Sequence, residues 1–120
     1  VLENFPATNH YHDSLILILK RYADAVKKVQ DTQSGLWYDI IDKPGAKGNY
    51  FEASAACMFV CTIAKAVRFG YLPASYLPVA KKGYEGILKQ FIATDAKGQT
   101  NLKGTASVSG LVGTPYRDGS

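Results

Sequence analysis

Cysteine, methionine and tryptophan are scarce in this chain of 120 residues: two, one and one. Cys57 and Cys61 lie four apart on one apolar run, which is neither a disulfide framework nor a C-x-x-C motif. Both read as reduced core residues, and they say little about redox compartment. Long apolar runs are also missing. The longest, 53–64, is interrupted by Ser54 and Thr62, whereas a bilayer span needs about 20 residues. No basic leader precedes an apolar stretch at Val1, so no signal peptide is visible; a processed or truncated N-terminus would look the same, and the compartment stays open. The charge imbalance is small, 14 Lys+Arg against 10 Asp+Glu, and it lacks the clustering with interleaved aromatics that nucleic-acid binding requires. Lys20-Arg21, Lys27-Lys28 and Lys81-Lys82 instead fall on the polar sides of expected helices, as a solvated surface would have them. A weak attraction to acidic polysaccharide is compatible with the net charge of +4.

What is present is helical periodicity. Over 14–30, Leu15, Ile18, Leu19, Tyr22, Val26 and Val29 recur at helical spacing, with Lys20, Asp24, Lys27 and Asp31 opposite and Asp13 or Ser14 as N-cap. Over 50–69 the pattern differs in kind. Phe51, Ala53, Ala56, Met58, Val60, Cys61, Ile63, Ala64 and Val67 cover every side of the wheel, so this helix must be surrounded by protein. Asn49 is its expected N-cap, Glu52 the capping-box partner and Gly70 the C-terminal stop. A third helix is expected over 75–92. It has Leu77, Ala80, Tyr84, Ile87, Leu88 and Phe91 inward, Lys81, Lys82, Glu85 and Lys89 outward, and Pro78 in the first turn. Gly83 and Gly86 weaken its interior, which close packing against another backbone would explain. Residues 93–120 have no helical period. Asp95–Gly98 signals a turn, and Thr100, Leu102, Thr105, Ser107 and Val108 suggest short strands in a hairpin.

The order is an outer-type helix, a long loop, a buried helix, a short loop, an outer-type helix and a long loop. An α/α toroid has this alternation. Two amphipathic helices cannot cover a helix that is apolar all round, so the chain is expected to need further protein about it, and in isolation to self-associate through the exposed apolar face.

Several separated motifs are specific. Gly35-Leu-Trp-Tyr-Asp-Ile-Ile-Asp42, Gly48-Asn-Tyr-Phe-Glu-Ala-Ser54, Cys57-Met-Phe-Val60, Arg68-Phe-Gly-Tyr71 and Pro115-Tyr-Arg-Asp-Gly-Ser120 stand in the order found in the unsaturated rhamnogalacturonyl hydrolases, which this chain resembles from about residue 15 onward. One departure is Val112, where the family pattern has glycine. The resemblance implies an all-α fold, a portion of a bacterial (α/α)6 barrel with a short β-hairpin in the last loop. It also implies hydration of the C4–C5 double bond of an unsaturated uronic acid in pectin fragments. An aspartate protonates the alkene and activates water, unlike the paired carboxylates of ordinary glycosidases. In the family that aspartate lies before the matched region, so the chain is expected to be an internal slice without the catalytic carboxylate. No cofactor is expected.

Antiparallel helices send successive loops to alternate ends of a barrel. Loops 31–50 and 93–120 then share the end where the inner helix starts, which the resemblance makes the pocket end. Candidate substrate contacts follow. Trp37 and Tyr38 are aromatics suited to stacking on a sugar, unless Trp37 packs the loop. Tyr50, Glu52 and Ser54 stand at the inner helix N-terminus, with a capping role the alternative for Glu52 and a core hydroxyl the alternative for Ser54. Tyr116, Arg117 and Asp118 form the last group, in which Arg117 would pair with a uronate or with Asp118. Asp39 and Asp42 resemble an acid–base pair, but spacing alone is weak support and the family does not use them so. His10 and His12 supply only two potential metal ligands, at the distal end. The expected partners are an oligosaccharide and the remainder of the barrel, with neither nucleic acid nor membrane. A non-catalytic carbohydrate-binding or assembly toroid is the alternative.

Overall fold

A computed structural model of the chain describes residues 1–106; Ser107, Val108, Val112, Tyr116, Arg117 and Asp118 lie outside the described residues. Helices α1 (His12–Lys28), α2 (Ala53–Arg68) and α3 (Leu77–Gln90) are followed by an antiparallel hairpin of β1 (Ile92–Thr94) and β2 (Thr100–Leu102). Short 3-10 turns stand at Leu2–Asn4 and Ala74–Tyr76. No helix of the described residues is long and apolar enough to cross a membrane.

The helix starts differ from those expected, for local reasons. The Asn9 side chain accepts from Tyr11 N–H at 3.0 Å and its carbonyl from His12 N–H at 2.9 Å. The chain is therefore already wound when it reaches Asp13. Tyr11 occupies the N-cap position without a side-chain bond, and Asp13 lies in the first turn. Asn49 does not cap α2. Its amide is engaged within the preceding loop, where Oδ1 accepts from Ile40 N–H at 3.0 Å and Nδ2 donates to Ile40 O at 3.0 Å and Lys43 O at 2.6 Å. Glu52 takes the cap position instead. At the far end Gly70 adopts φ +76°, and Tyr71 N–H reaches Ala66 O at 2.8 Å while Gly70 N–H reaches Val67 O at 3.0 Å. This is the closing geometry of a Schellman motif, which favours glycine at C′.

The core runs between α2 and α3, with Trp37 and Leu36 inserted from the loop before α2. Ala53, Ala56, Ile63 and Ala66 of α2 meet Val79, Ala80 and Ile87 of α3, and Ala23 and Val26 add one edge of α1. The glycine spacing of α3 is explained by this packing. A Cβ on Gly83 would come within 2.7 Å of Val60 Cγ2 and 2.9 Å of the Trp37 ring; one on Gly86 would collide with the Ser34 carbonyl.

One expectation about faces is met and two change. As expected of an apolar wheel with too few neighbours, α2 is not enclosed in this chain: Met58 is 61% exposed, and Ser54, Cys61 and Ala64 are exposed with it. Cys61 is therefore no core residue here, whereas Cys57 is half-buried and burial, then the Glu52 charge, raises its thiol pKa. On α3, Leu77, Tyr84 and Leu88 form an exposed stripe and the buried side is carried by Val79, Ala80, Gly83, Gly86 and Ile87, with glycine where only a small residue fits beside Trp37 and Ser34. On α1, Ile18 and Tyr22 are exposed above a groove of about 480 Å³ shared with Leu15, Leu19, Cys61 and Phe69. The open faces of α1 and α2 have one cause: α2 has covering helices on only part of its circumference.

The hairpin begins earlier than expected, because Phe91 O accepts from Lys103 N–H at 2.8 Å and Ile92 pairs with Leu102. The turn at Asp95–Gly98 is as the sequence indicates; Asp95 Oδ1 accepts from Lys97 and Gln99 N–H, both at 2.9 Å. Thr105 stands outside the strands.

Candidate functional site at the start of helix α2

The loop between α1 and α2 folds back on itself through polar ties. Asp31 Oδ2 accepts from Ser34 N–H at 2.6 Å, Ser34 Oγ–H at 2.7 Å and Gln33 N–H at 3.1 Å. The Ser34 bonds, chiefly its backbone N–H, hold the Asp31 carboxyl below its usual pKa. Gln30 Nε2 donates to Gly35 O at 2.8 Å and to Val79 O at 3.0 Å, which joins the loop to α3. These residues drew no attention as site residues in the sequence. The Asp-x-x-Ser spacing of an Asx turn was the available signal.

Trp37 is fully buried. Its Nε1–H donates to Val26 O at 2.8 Å and its ring meets Phe59 edge-on at 5.3 Å. No face of the indole is open to a sugar in this chain, and its place is that of a wedge between loop, α1 and α3. Tyr38 is half-buried, bridged to Phe51 through the backbone with ring centroids 4.3 Å apart. It borders a recess of about 400 Å³ that Asp31, Ile41, Asp42 and Pro44 also line. Asp39 N–H donates to Tyr50 O at 2.9 Å, which places both at the base of this two-stranded segment, and Asp42 is exposed farther out.

Glu52 is 4% exposed and uses both carboxylate oxygens. Oε1 accepts from Ser54 N–H at 3.2 Å and from Ala106 N–H at 3.1 Å; Oε2 accepts from Ala55 N–H at 2.6 Å and Ser54 Oγ–H at 2.8 Å. Burial by itself would raise its pKa, but the bonds from Ala55, Ser54 and Ala106 together outweigh it, and the net shift is downward from 4.5. Four protein donors leave no simple place for a substrate hydroxyl on this carboxylate. Ser54 is exposed. Ala53 N–H donates to Gly104 O at 2.9 Å and Glu52 N–H to Trp37 O at 3.1 Å, so the two long loops meet at the start of α2.

The opposite end gathers the other two loops. Tyr71 Oη–H donates to Leu2 O at 3.3 Å, and the His12 ring lies 6.2 Å from that of Tyr71. His10 is exposed against Tyr11. Among the described residues no group of three or more His, Cys, Asp or Glu could hold a metal.

The alternation of loop ends, the motif order and the hairpin all point one way, and comparison with known proteins decides the family. The profile of Glycosyl Hydrolase Family 88 matches residues 1–119. The chain belongs to this family. The family-88 chain is similar, at 41% identity and a TM-score of 0.87, to a solved glycoside hydrolase of family 105 from C. acetobutylicum, over 99% of this chain and 33% of that one. A possible family 105 member from Salmonella enterica aligns at 34% identity with a TM-score of 0.75, over 92% of this chain and 28% of that one. Among curated proteins, Protein Atu3128 of Agrobacterium fabrum is 34% identical over 97 residues, covering 76% of this chain and 42% of that protein. The family-88 chain thus spans about a third of the solved hydrolases it matches, and the mostly helical fold with its hairpin corresponds to part of theirs.

Acid will loosen this end of the family-88 chain first. Asp31 and Glu52 both have pKa values lowered by folding, from 3.8 and 4.5. Their contribution is therefore present above those values and lost as pH falls through the lower folded-state ones. Amide exchange at Ser34, Ala55 and Ala106 is expected to accelerate on acidification below about pH 4.5, beyond the intrinsic pH trend, before the α2–α3 core opens. Simultaneous loss of protection at Ile63 would refute this order.

Proposed function

We propose that this chain is one portion of an (α/α)6-barrel hydrolase that removes an unsaturated uronyl residue from a galacturonyl-rhamnose type oligosaccharide. The observation that carries the reading is the fit of nearly the whole chain to a third of a family 105 hydrolase at a TM-score of 0.87. In the proposed reaction an aspartate outside this chain protonates the C4–C5 alkene and water adds at C5. The resulting hemiketal opens with loss of the glycosidic bond. The open faces of α2 and α3 support the barrel reading, since a partly covered apolar helix needs neighbours.

On this reading the end formed by residues 31–52 and 103–106 is the pocket end. Tyr38, Tyr50 and Ser54 there contact the oligosaccharide, together with Tyr116, Arg117 and Asp118. Trp37 and Glu52 act from behind, because the first is sealed in the core and the second is saturated by protein donors. The full-length protein should consume an unsaturated galacturonyl-rhamnose disaccharide, read as loss of the double-bond absorbance. Binding without turnover would instead favour the non-catalytic carbohydrate module, and neither binding nor turnover would remove both.

The isolated chain is expected to self-associate through the Met58 face. Sedimentation should show species larger than 13.0 kDa that grow with concentration. Met58→Glu, which places a charge in the patch, should return the chain towards monomer. A wild-type chain that stays monomeric across a hundredfold concentration range would contradict the open-face argument.

A further inference from the structure

Glutamate is an unusual choice at the cap position of α2. The residues that cap best, Asp, Asn and Ser, have short side chains that curl back onto the N–H groups two and three positions ahead. Glu52 reaches those same groups, Ser54 N–H and Ala55 N–H, so an aspartate would serve the helix as well or better. What the extra methylene adds is reach. Oε1 also accepts from Ala106 N–H, 54 residues along the chain, at 3.1 Å. Ala106 lies four residues past the end of β2 at Leu102, and the neighbouring bond from Ala53 N–H to Gly104 O seats the same segment beside it.

We propose that Glu52 is a positioning residue for substrate binding: it fixes the exit of the β1–β2 hairpin against the start of α2, and so sets the spacing between the two loops that meet there. The inference rests on the proposed function in so far as this end is the pocket end. Three features support it. The carboxylate is buried, so water does not compete for Ala106 N–H. The carboxylate is charged, which strengthens the bond relative to a neutral acceptor. And Glu52 N–H is itself held by Trp37 O at 3.1 Å, on a tryptophan locked into the core, so the clasp is anchored to a rigid point.

The conservative variant Glu52→Asp separates clasp from cap, because aspartate caps a helix but is one methylene too short to reach Ala106. In the full-length protein, Glu52→Asp should leave the thermal midpoint close to wild type and raise amide exchange at Ala106 at least tenfold. It should raise KM for the unsaturated disaccharide about tenfold while kcat changes less than twofold, because a misplaced loop weakens ground and transition states alike. Ser54→Ala, which removes one of the four bonds and not the one to Ala106, should leave Ala106 exchange as in wild type. Unchanged Ala106 exchange in Glu52→Asp would overturn the clasp, and accelerated exchange with an unchanged KM would overturn its role in binding. If the wild-type protein shows no turnover, the hydrolase reading fails on its own, and exchange at Ala106 still decides whether Glu52 is a clasp.

Discussion

Replacing Trp37 by alanine is expected to cost the fold about 3–5 kcal/mol, the range for deleting a large buried aromatic. The indole is fully buried, it packs edge-on against Phe59, and a Cβ on Gly83 would come within 2.9 Å of its ring, so its surroundings are shaped to it. The cavity has little means of collapse, since the wall on the α3 side is helix backbone at Gly83. Part of the cost is polar. Without Nε1–H, Val26 O loses its 2.8 Å donor, and a buried unpaired carbonyl is worth about 1–3 kcal/mol. Trp37→Phe should therefore retain much of the packing and still lose that smaller amount. Denaturant midpoints of the full-length protein measure both, with an unchanged slope showing that stability and not compactness has moved. A Trp37→Ala protein as stable as wild type but with a raised KM would instead make the indole a substrate platform.

Gly86→Ala is the second large effect, and its sign is opposite to helix propensity. Alanine in a helix interior gains up to about 1 kcal/mol over glycine. At Gly86 the new methyl would meet the Ser34 carbonyl and lie 3.0 Å from Leu36 Cγ and Cδ2. Ser34 cannot step aside, because its N–H and Oγ–H are both bound to Asp31 and the loop is tied again by Gln30 to Val79 O. Overpacking against a fixed backbone costs about 1–3 kcal/mol and outweighs the propensity gain. The net expectation is a loss of roughly 1 kcal/mol. Gly45→Ala, with nothing within 4 Å of the added methyl, should stay within about 0.5 kcal/mol of wild type. Equal midpoints for Gly86→Ala and Gly45→Ala would show that α3 and the loop are not in close contact. The two substitutions probe one joint, the insertion of residues 34–37 between α1 and α3, which carries Tyr38 and the rest of the pocket-end loop.

Much of this architecture is legible in the residues. Helical spacing located all three helices to within three residues at each end. Gly70 marked the end of α2, and the uniformly apolar wheel of α2 stated that it needs more neighbours than this chain has. The small residues at 83 and 86 announced a close approach without naming what approaches. These readings hold because periodicity, glycine at a left-handed position and missing side-chain volume are properties of the local chain.

Which side chains share a place was decided only by tertiary structure. Trp37 and Tyr38 are adjacent and both aromatic, yet one is sealed in the core and the other borders a recess, because the backbone bridge to Phe51 turns them to opposite faces. Glu52 read as a capping-box partner of Asn49, but Asn49 was drawn into its own loop, and Glu52 became the cap and a long-range tie at once. The exposed stripe of Leu77, Tyr84 and Leu88 looked like the inward face of α3 until the volume of Trp37 claimed the glycine side. The sequence by itself determined the periodic elements, their stops and the family. The tertiary structure alone decided which of several equivalent partners each polar group and each apolar face took, since a hydrogen-bond donor or a helix stripe has many possible mates along a chain and distance in space selects among them.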